Sequence, residues 1–146
     1  MFAPKSILVP TDFSVYSDKA LKEAVDIAVQ NKAKIYLLHV IDEIAQCTVD
    51  YCIDSSLVAQ LEEQSKKFAE EKLQKEVAAI GASKDIEIVF DIKKGDAAEV
   101  IATEQEEKGI DLIVIASHGK KGLLTRLGSV SERVLREAKG PVMLIK

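Results

Sequence analysis

The sequence predicts an α/β protein, an open sheet of five parallel strands with helices on both faces. Three observations lead there. Short apolar runs alternate with longer stretches of helical period in the order β-α-β-α-β-α-β-α-β, which is the pattern of a doubly covered parallel sheet. Two of the runs, 35–41 and 111–115, are apolar almost throughout, as strands buried on both faces must be. Helix-starting and helix-stopping residues fall between the runs, where a strand has to hand over to a helix.

Each element has its own reason. Ser6-Ile7-Leu8-Val9-Pro10 is a short apolar strand, broken by the turn and capping residues Thr11-Asp12-Phe13-Ser14, among which Asp12 is a candidate cap. A helix from Ser17 to Gln30 follows, with Ala20, Leu21, Ala24, Val25, Ile27 and Ala28 on one stripe. The second strand spans Ala33 to Ile41. Asp42 to Asp54 has no period and reads as a loop with a helical turn. The second helix runs from Ser55 to Ile80, with Leu57, Leu61, Phe68, Leu73, Val77 and Ile80 as its core stripe and Gly81 as its stop. Glu62/Lys66, Glu63/Lys67 and Glu71/Lys75 support its solvated face.

Ile86 to Ile92 partly alternates apolar and polar residues, as a strand near a sheet edge does. Gly95-Asp96-Ala97-Ala98-Glu99 opens a third helix with capping-box spacing, and Lys108-Gly109 ends it. Asp111 to Ala116 is the fourth strand. Ser129-Val130-Ser131-Glu132 repeats the capping-box spacing before a last helix, Val130 to Ala138, and Gly140-Pro141 leads into a final strand, Val142 to Ile145.

Composition narrows the function. A chain of 146 residues, 47% hydrophobic and 30% charged, suits one domain, 1–146, with a core that needs no staples. A formal net charge of −4 argues against a general nucleic-acid binder. No apolar segment approaches the roughly 20 residues that span a bilayer, and Met1-Phe2-Ala3-Pro4-Lys5 has no signal-peptide pattern. Only two cysteines occur, Cys47 and Cys52, too few for a disulfide scaffold and without a metal-site pattern. The expectation is a cytoplasmic protein with two free thiols and no metal-ligand set.

The stretch from Ile115 to Glu132 carries the chemistry. Glycines at 119, 122 and 128, with Lys120, Lys121 and Arg126, join a strand end to a helix start. Glycines let backbone N–H groups approach a ligand, and a helix start adds unpaired donors and partial positive charge, so the loop favours anions. In open parallel sheets ligands collect beyond the carboxyl ends of the strands, where the strand order reverses. With strand 1 beside strand 4, the walls of that crevice are Pro10-Thr11-Asp12 and Ala116 to Gly119, flanked by Val40. Neither G-x-x-x-x-G-K-[ST] nor G-x-G-x-x-G occurs, which sets aside phosphate-loop ATPases and dinucleotide dehydrogenases. His39, inside an apolar strand, reads as a hydrogen-bonded core histidine. His118 reads as an exposed loop residue with no evident partner for general-base work.

The opening Ile7-Leu8-Val9-Pro10-Thr11-Asp12-Phe13-Ser14, the strand Leu37-Leu38-His39-Val40, Gly95-Asp96-Ala97-Ala98-Glu99, and Ser117-His118-Gly119 through Gly128-Ser129-Val130-Ser131-Glu132-Arg133-Val134 resemble the universal stress protein family, from Ser6 to Ile145. The resemblance implies strand order 3-2-1-4-5, a homodimer through the last strand (142–145) and, in one branch, bound ATP. That branch carries G-x2-G-x9-G-[ST]. Here Ala116 stands for the first glycine, and eight residues, Lys120 to Leu127, separate Gly119 from Gly128-Ser129. Carried over by position, Asp12 meets the adenine or ribose side, and Pro10, Thr11 and Val40 line the base pocket. Ala116 and Gly119 face ribose and phosphates, while Gly128, Ser129, Val130 and Ser131 hold the phosphate tail. Lys120 adds a charge partner for phosphate.

The resulting expectation is an ATP-binding regulatory or protective protein of stress response, with or without Mg2+ and with little or no catalysis. The rival is a dimeric interaction module of the same fold without nucleotide, favoured by Ala116 and the shorter loop. An adenylating enzyme ranks last, because SGGxDS, HIGH and KMSKS segments are absent.

Overall fold

The apolar runs become one parallel sheet in the computed structural model, which describes residues 1–42, 55–119 and 127–146. Its elements are β1 (Ser6–Pro10), α1 (Val15–Asn31), β2 (Lys34–Ile41), α2 (Ser55–Ser83), β3 (Ile88–Lys94), α3 (Ala97–Lys108), β4 (Leu112–Ala116), α4 (Ser129–Glu137) and β5 (Val142–Ile145). All four strand pairs are parallel, in the order β3-β2-β1-β4-β5. This is the expected order, with β1 beside β4 at the reversal. The expected loop beyond Asp42, with Cys47 and Cys52, lies outside the described residues, as do Lys120, Lys121, Gly122 and Arg126.

Period-two alternation divides the core between two faces. Ile7 and Val9 of β1, Ile35 and Leu37 of β2, and Leu112, Val114 and Ala116 of β4 pack with Ala20, Ala24 and Ala28 of α1 and Leu73 of α2. Leu8, Leu38, Ile113 and Ile115 turn the other way, onto Ala98 and Ile101 of α3 and Val134 of α4. Every residue of β4 is buried, and this two-sided burial explains why that run lacks alternation.

The helix ends follow local chemistry. Ser14, not Asp12, caps α1, accepting from the Ser17 N–H. Asp12 instead accepts from the Ser14 N–H at 3.0 Å, bracing the turn that precedes the cap. Asp96 caps α3 and accepts from the Glu99 N–H, as its spacing predicts. The Arg133 guanidinium 2.8 Å away, aided by that backbone bond, holds the Asp96 carboxyl below its ordinary pKa. The α4 expectation fails. Gly128 is the N-cap and supplies no side-chain bond, so Ser129 is already helical and no capping box forms.

Helix α2 departs from expectation twice. It runs through Gly81 to Ser83 and stops where the Ser83 hydroxyl turns back onto the Ala79 and Ile80 carbonyls, a side-chain competition that frays helix ends. Its buried line is Val58, Ala69 and Leu73, while Leu57, Leu61 and Phe68 are exposed. The small Ala69 faces inward, so the lower-numbered part of the expected stripe lies about 100° round the helix from the contact line. Of the expected acid–base pairs, Glu63 and Lys67 meet at 3.9 Å, whereas Glu62 turns to Lys94 on β3 at 2.7 Å.

Candidate functional site

The chain leaves β1 through a tightly bonded turn. The Thr11 N–H extends the ladder by donating to the Leu38 carbonyl at 2.8 Å. The Thr11 side chain is buried, 3.1 Å from the Ser17 hydroxyl, and its oxygen accepts from the Phe13 N–H at 3.1 Å. Phe13 then takes φ 64°, a left-handed conformation that costs a bulky residue free energy. What offsets that cost comes from β2 and α2. The Phe13 ring lies 4.5 Å from the His39 ring, and Lys72 Nζ sits 5.1 Å from its centroid. The imidazole Nδ1 of His39 donates to the Thr11 carbonyl at 2.8 Å. His39 is therefore a hydrogen-bonded structural histidine, as its place in an apolar strand predicts.

The exit from β4 is built from backbone. The Ser117 N–H donates to the Ile145 carbonyl, and its own carbonyl accepts from the Gly128 N–H at 2.7 Å. The Ser131 hydroxyl reaches back from α4 to the Ala116 carbonyl at 2.5 Å. Gly119 approaches Asp12 so closely that a Cβ there would stand 2.8 Å from Asp12 Oδ2. At Gly128 a Cβ would stand 3.2 Å from the Ser117 carbonyl oxygen. These are two positions where the missing side chain lets strand, loop and helix close on one another.

His118 differs from expectation. It is half-buried, its Nδ1 lies 2.7 Å from the Ser117 hydroxyl, and its ring lies 5.9 Å from that of Tyr16. Its Nε2 is buried and has no hydrogen-bond partner among the described residues.

These segments enclose a cleft of about 430 Å³ beyond the carboxyl ends of β1, β2 and β4, within the range of small-molecule sites. Pro10, Thr11 and Asp12 form one wall, Ala116 and Gly119 another, and Val40 a flank. Gly128, Ser129, Val130 and Ser131 close it at the start of α4. The described residues that the resemblance assigns to a ligand thus all border this cleft; Lys120 falls outside the described residues. Among the described residues no side chain caps α4, so its first-turn N–H groups, which have no partner within the helix, border the cleft, and the helix dipole adds partial positive charge.

Sequence reasoning missed the opposite wall, Ala97 and Ile101 of α3 with Leu38 and Ile115. The signal was present, since the two-face alternation of β4 and β2 puts Ile115 and Leu38 on the α3 side. The cleft therefore has an apolar end between β2 and α3 and a donor-rich end at α4. Among the described residues no group of three His, Cys, Asp or Glu side chains could hold a metal ion, and no helix is long and apolar enough to cross a membrane.

The model of the universal stress protein family matches residues 4–146. Universal stress protein MJ0577 of Methanocaldococcus jannaschii is 34% identical over 159 aligned residues, covering 97% of this chain and 94% of that protein. A solved structure of MJ0577 superposes with a TM-score of 0.83 at 32% identity, covering 99% of this chain and 97% of the other. UspA from Lactobacillus plantarum shares the fold with a TM-score of 0.88 at 24% identity over the full length of both chains. A universal stress protein from Archaeoglobus fulgidus, solved in complex with dAMP, has a TM-score of 0.71 at 22% identity, covering 99% of this chain and 100% of the other.

Proposed function

Since the chain belongs to the universal stress protein family, we propose that its cleft binds ATP and that the protein serves as a regulatory or protective nucleotide-binding module of stress response. The observation that carries this reading is the uncapped start of α4, opening into the donor-rich end of a cleft whose other end is apolar. A phosphate tail would lie on the N–H groups of Ser129, Val130 and Ser131, beside Gly119 and Gly128. The base would lie against Pro10, Thr11 and Val40, facing Ile101 of α3. The dAMP held by the Archaeoglobus fulgidus protein is consistent with a nucleotide on this fold. A bound Mg2+ would travel with the phosphates and neutralise part of their charge. The chain's own groups bind and orient, and the reading assigns none of them as nucleophile or general base.

The same reading makes the protein a cytoplasmic homodimer across β5. This edge strand carries an exposed Met143, with Leu135 exposed on neighbouring α4, and unpaired apolar edges tend to find partners.

Ser129→Asp separates ligand binding from folding. A carboxylate in the first turn suits the helix dipole, so the unliganded protein should keep or slightly raise its melting temperature. The same charge opposes phosphate, so the ATP-induced thermal shift of the wild type should disappear. No shift of the wild-type protein at millimolar ATP, or a shift unchanged in Ser129→Asp, would overturn the reading and leave the interaction module.

A further inference from the structure

We propose that His39 is a positioning residue, whose side chain occupies the Thr11 carbonyl and so keeps the backbone N–H of Val40 open to the floor of the cleft. What the opened group binds rests on the nucleotide reading; the geometry that opens it does not.

In a parallel ladder, successive residues of a strand address opposite neighbours. The Ile35 N–H donates to the Glu87 carbonyl, and the Ile41 carbonyl accepts from the Gly95 N–H, so the odd-numbered residues of β2 face β3. The Leu38 carbonyl accepts from the Thr11 N–H, so the even-numbered ones face β1. Continued by one step, the ladder would pair the Val40 N–H with the Thr11 carbonyl and the Phe13 N–H with the Val40 carbonyl.

Neither bond forms. The Thr11 carbonyl is taken by His39 Nδ1, and the Phe13 N–H goes to Thr11 Oγ1. A carbonyl only accepts, so Nδ1 carries the proton. Phe13, left-handed at φ 64° and packed at a tilt of 33° against the same imidazole, turns the chain off the ladder. Among the described residues none pairs with the Val40 N–H or carbonyl on this side, and Val40 lines the cleft. A half-buried peptide whose donor and acceptor are both unclaimed by the described residues is costly to leave so. It suits the edge of a planar heterocycle that offers one acceptor and one donor.

Two substitutions dissect the device. His39→Phe keeps a ring against Phe13 and removes the donor; His39→Asn keeps a donor near the Nδ1 position and removes the ring. Amide hydrogen exchange on the 15N-labelled chain reads the geometry without ligand. In the free wild type, the Val40 amide should exchange at least about tenfold faster than that of Leu38, whose place in the ladder pairs it. In His39→Phe the released Thr11 carbonyl should slow Val40. Slow exchange of Val40 in the free wild type, or exchange unaltered in His39→Phe, would overturn the inference whether or not any nucleotide binds.

Adenosine, which has no phosphate for α4, reads the consequence. His39→Phe should bind it about three- to tenfold more weakly, the worth of one net hydrogen bond, and His39→Asn should stay near wild type. Equal loss in both variants, or none in His39→Phe, would show that His39 only stabilises the fold. A wild type that binds neither adenosine nor ATP would overturn the nucleotide reading, and with it the ligand part of the inference. The exchange result would still decide the geometry.

Discussion

Removing the charge of Glu104 should destabilise the protein, yet less than removing the lysines that face it. Glu104 stands on α3 with its side chain only 2% exposed, in an ion pair with Lys93 of β3 and 2.9 Å from Lys108 one turn further along α3. Burial pushes its carboxyl up, but hydrogen bonds from Lys93 and Lys108, with their charge, more than reverse this, so its pKa lies below the ordinary value. A folded pKa lower than the unfolded one stabilises the protein above the ordinary carboxylate range and ceases to do so as pH falls through the folded value.

Glu104→Gln keeps the volume and loses two charge-assisted bonds. The stranded lysines are 38% and 34% exposed and can turn to water, so the cost should be about 2 kcal/mol, or roughly 4–8 °C in melting temperature. Lys93→Met with Lys108→Met leaves a carboxylate that cannot reach water, which should cost about 3–5 kcal/mol.

Urea denaturation between pH 4 and 7 distinguishes the two, because their pH dependences are opposite. Glu104→Gln should flatten the acid loss of stability seen in the wild type. The double lysine variant should gain stability on acidification, as the buried carboxyl takes up a proton. A Glu104→Gln protein within about 0.5 kcal/mol of wild type, below the worth of one such bond, would refute the reasoning. So would a lysine variant milder than Glu104→Gln.

Gly119→Ala places a methyl 2.8 Å from Asp12 Oδ2. Because a side-chain end can yield, stability should fall by no more than about 1 kcal/mol, while displaced Asp12 weakens ATP at least about tenfold by calorimetry. Unaltered affinity would take Asp12 out of the ligand's reach. Met143→Lys puts a charge on the β5 edge and should turn a dimer into a monomer in sedimentation; a persistent dimer would place the interface elsewhere.

What the sequence made legible is what local pattern controls. The two-sided apolar runs at 35–41 and 111–115 were readable because burial on both faces leaves no room for alternation, and they placed β2 and β4 inside the sheet. Asp96 was readable as a cap because its partner, Glu99, is three residues away. Other contacts are set by a distant claimant. Ser131 sits inside the capping-box run, but its hydroxyl bonds the Ala116 carbonyl, fifteen residues earlier in the chain. Leu57 and Phe68 fit a helical stripe, but the face that α2 buries is chosen by the strands beneath it. The bond from His39 to Thr11 spans 28 residues and a strand boundary, and no spacing rule anticipates it.

The same distinction bears on Ala116, the position where this chain departs from the glycine pattern of the nucleotide-binding branch. Alternation along β4 puts Ile113 and Ile115 with α3 and α4, and Leu112, Val114 and Ala116 with α1. The apolar wall of the cleft comes from the first set, through Ile115 with Leu38 and Ile101. Ala116 borders the cleft, yet it packs into the α1-side cluster, where it is only 6% exposed. What residue 116 offers the α4 side is its carbonyl, held by Ser131, and any residue type supplies that. Gly119 and Gly128, by contrast, stand where a Cβ would press on Asp12 and on the Ser117 carbonyl. The glycine replaced is thus the one whose added methyl finds a packed core, and the two retained are those that close approach requires. Alanine here stiffens the strand end and fills the α1 side.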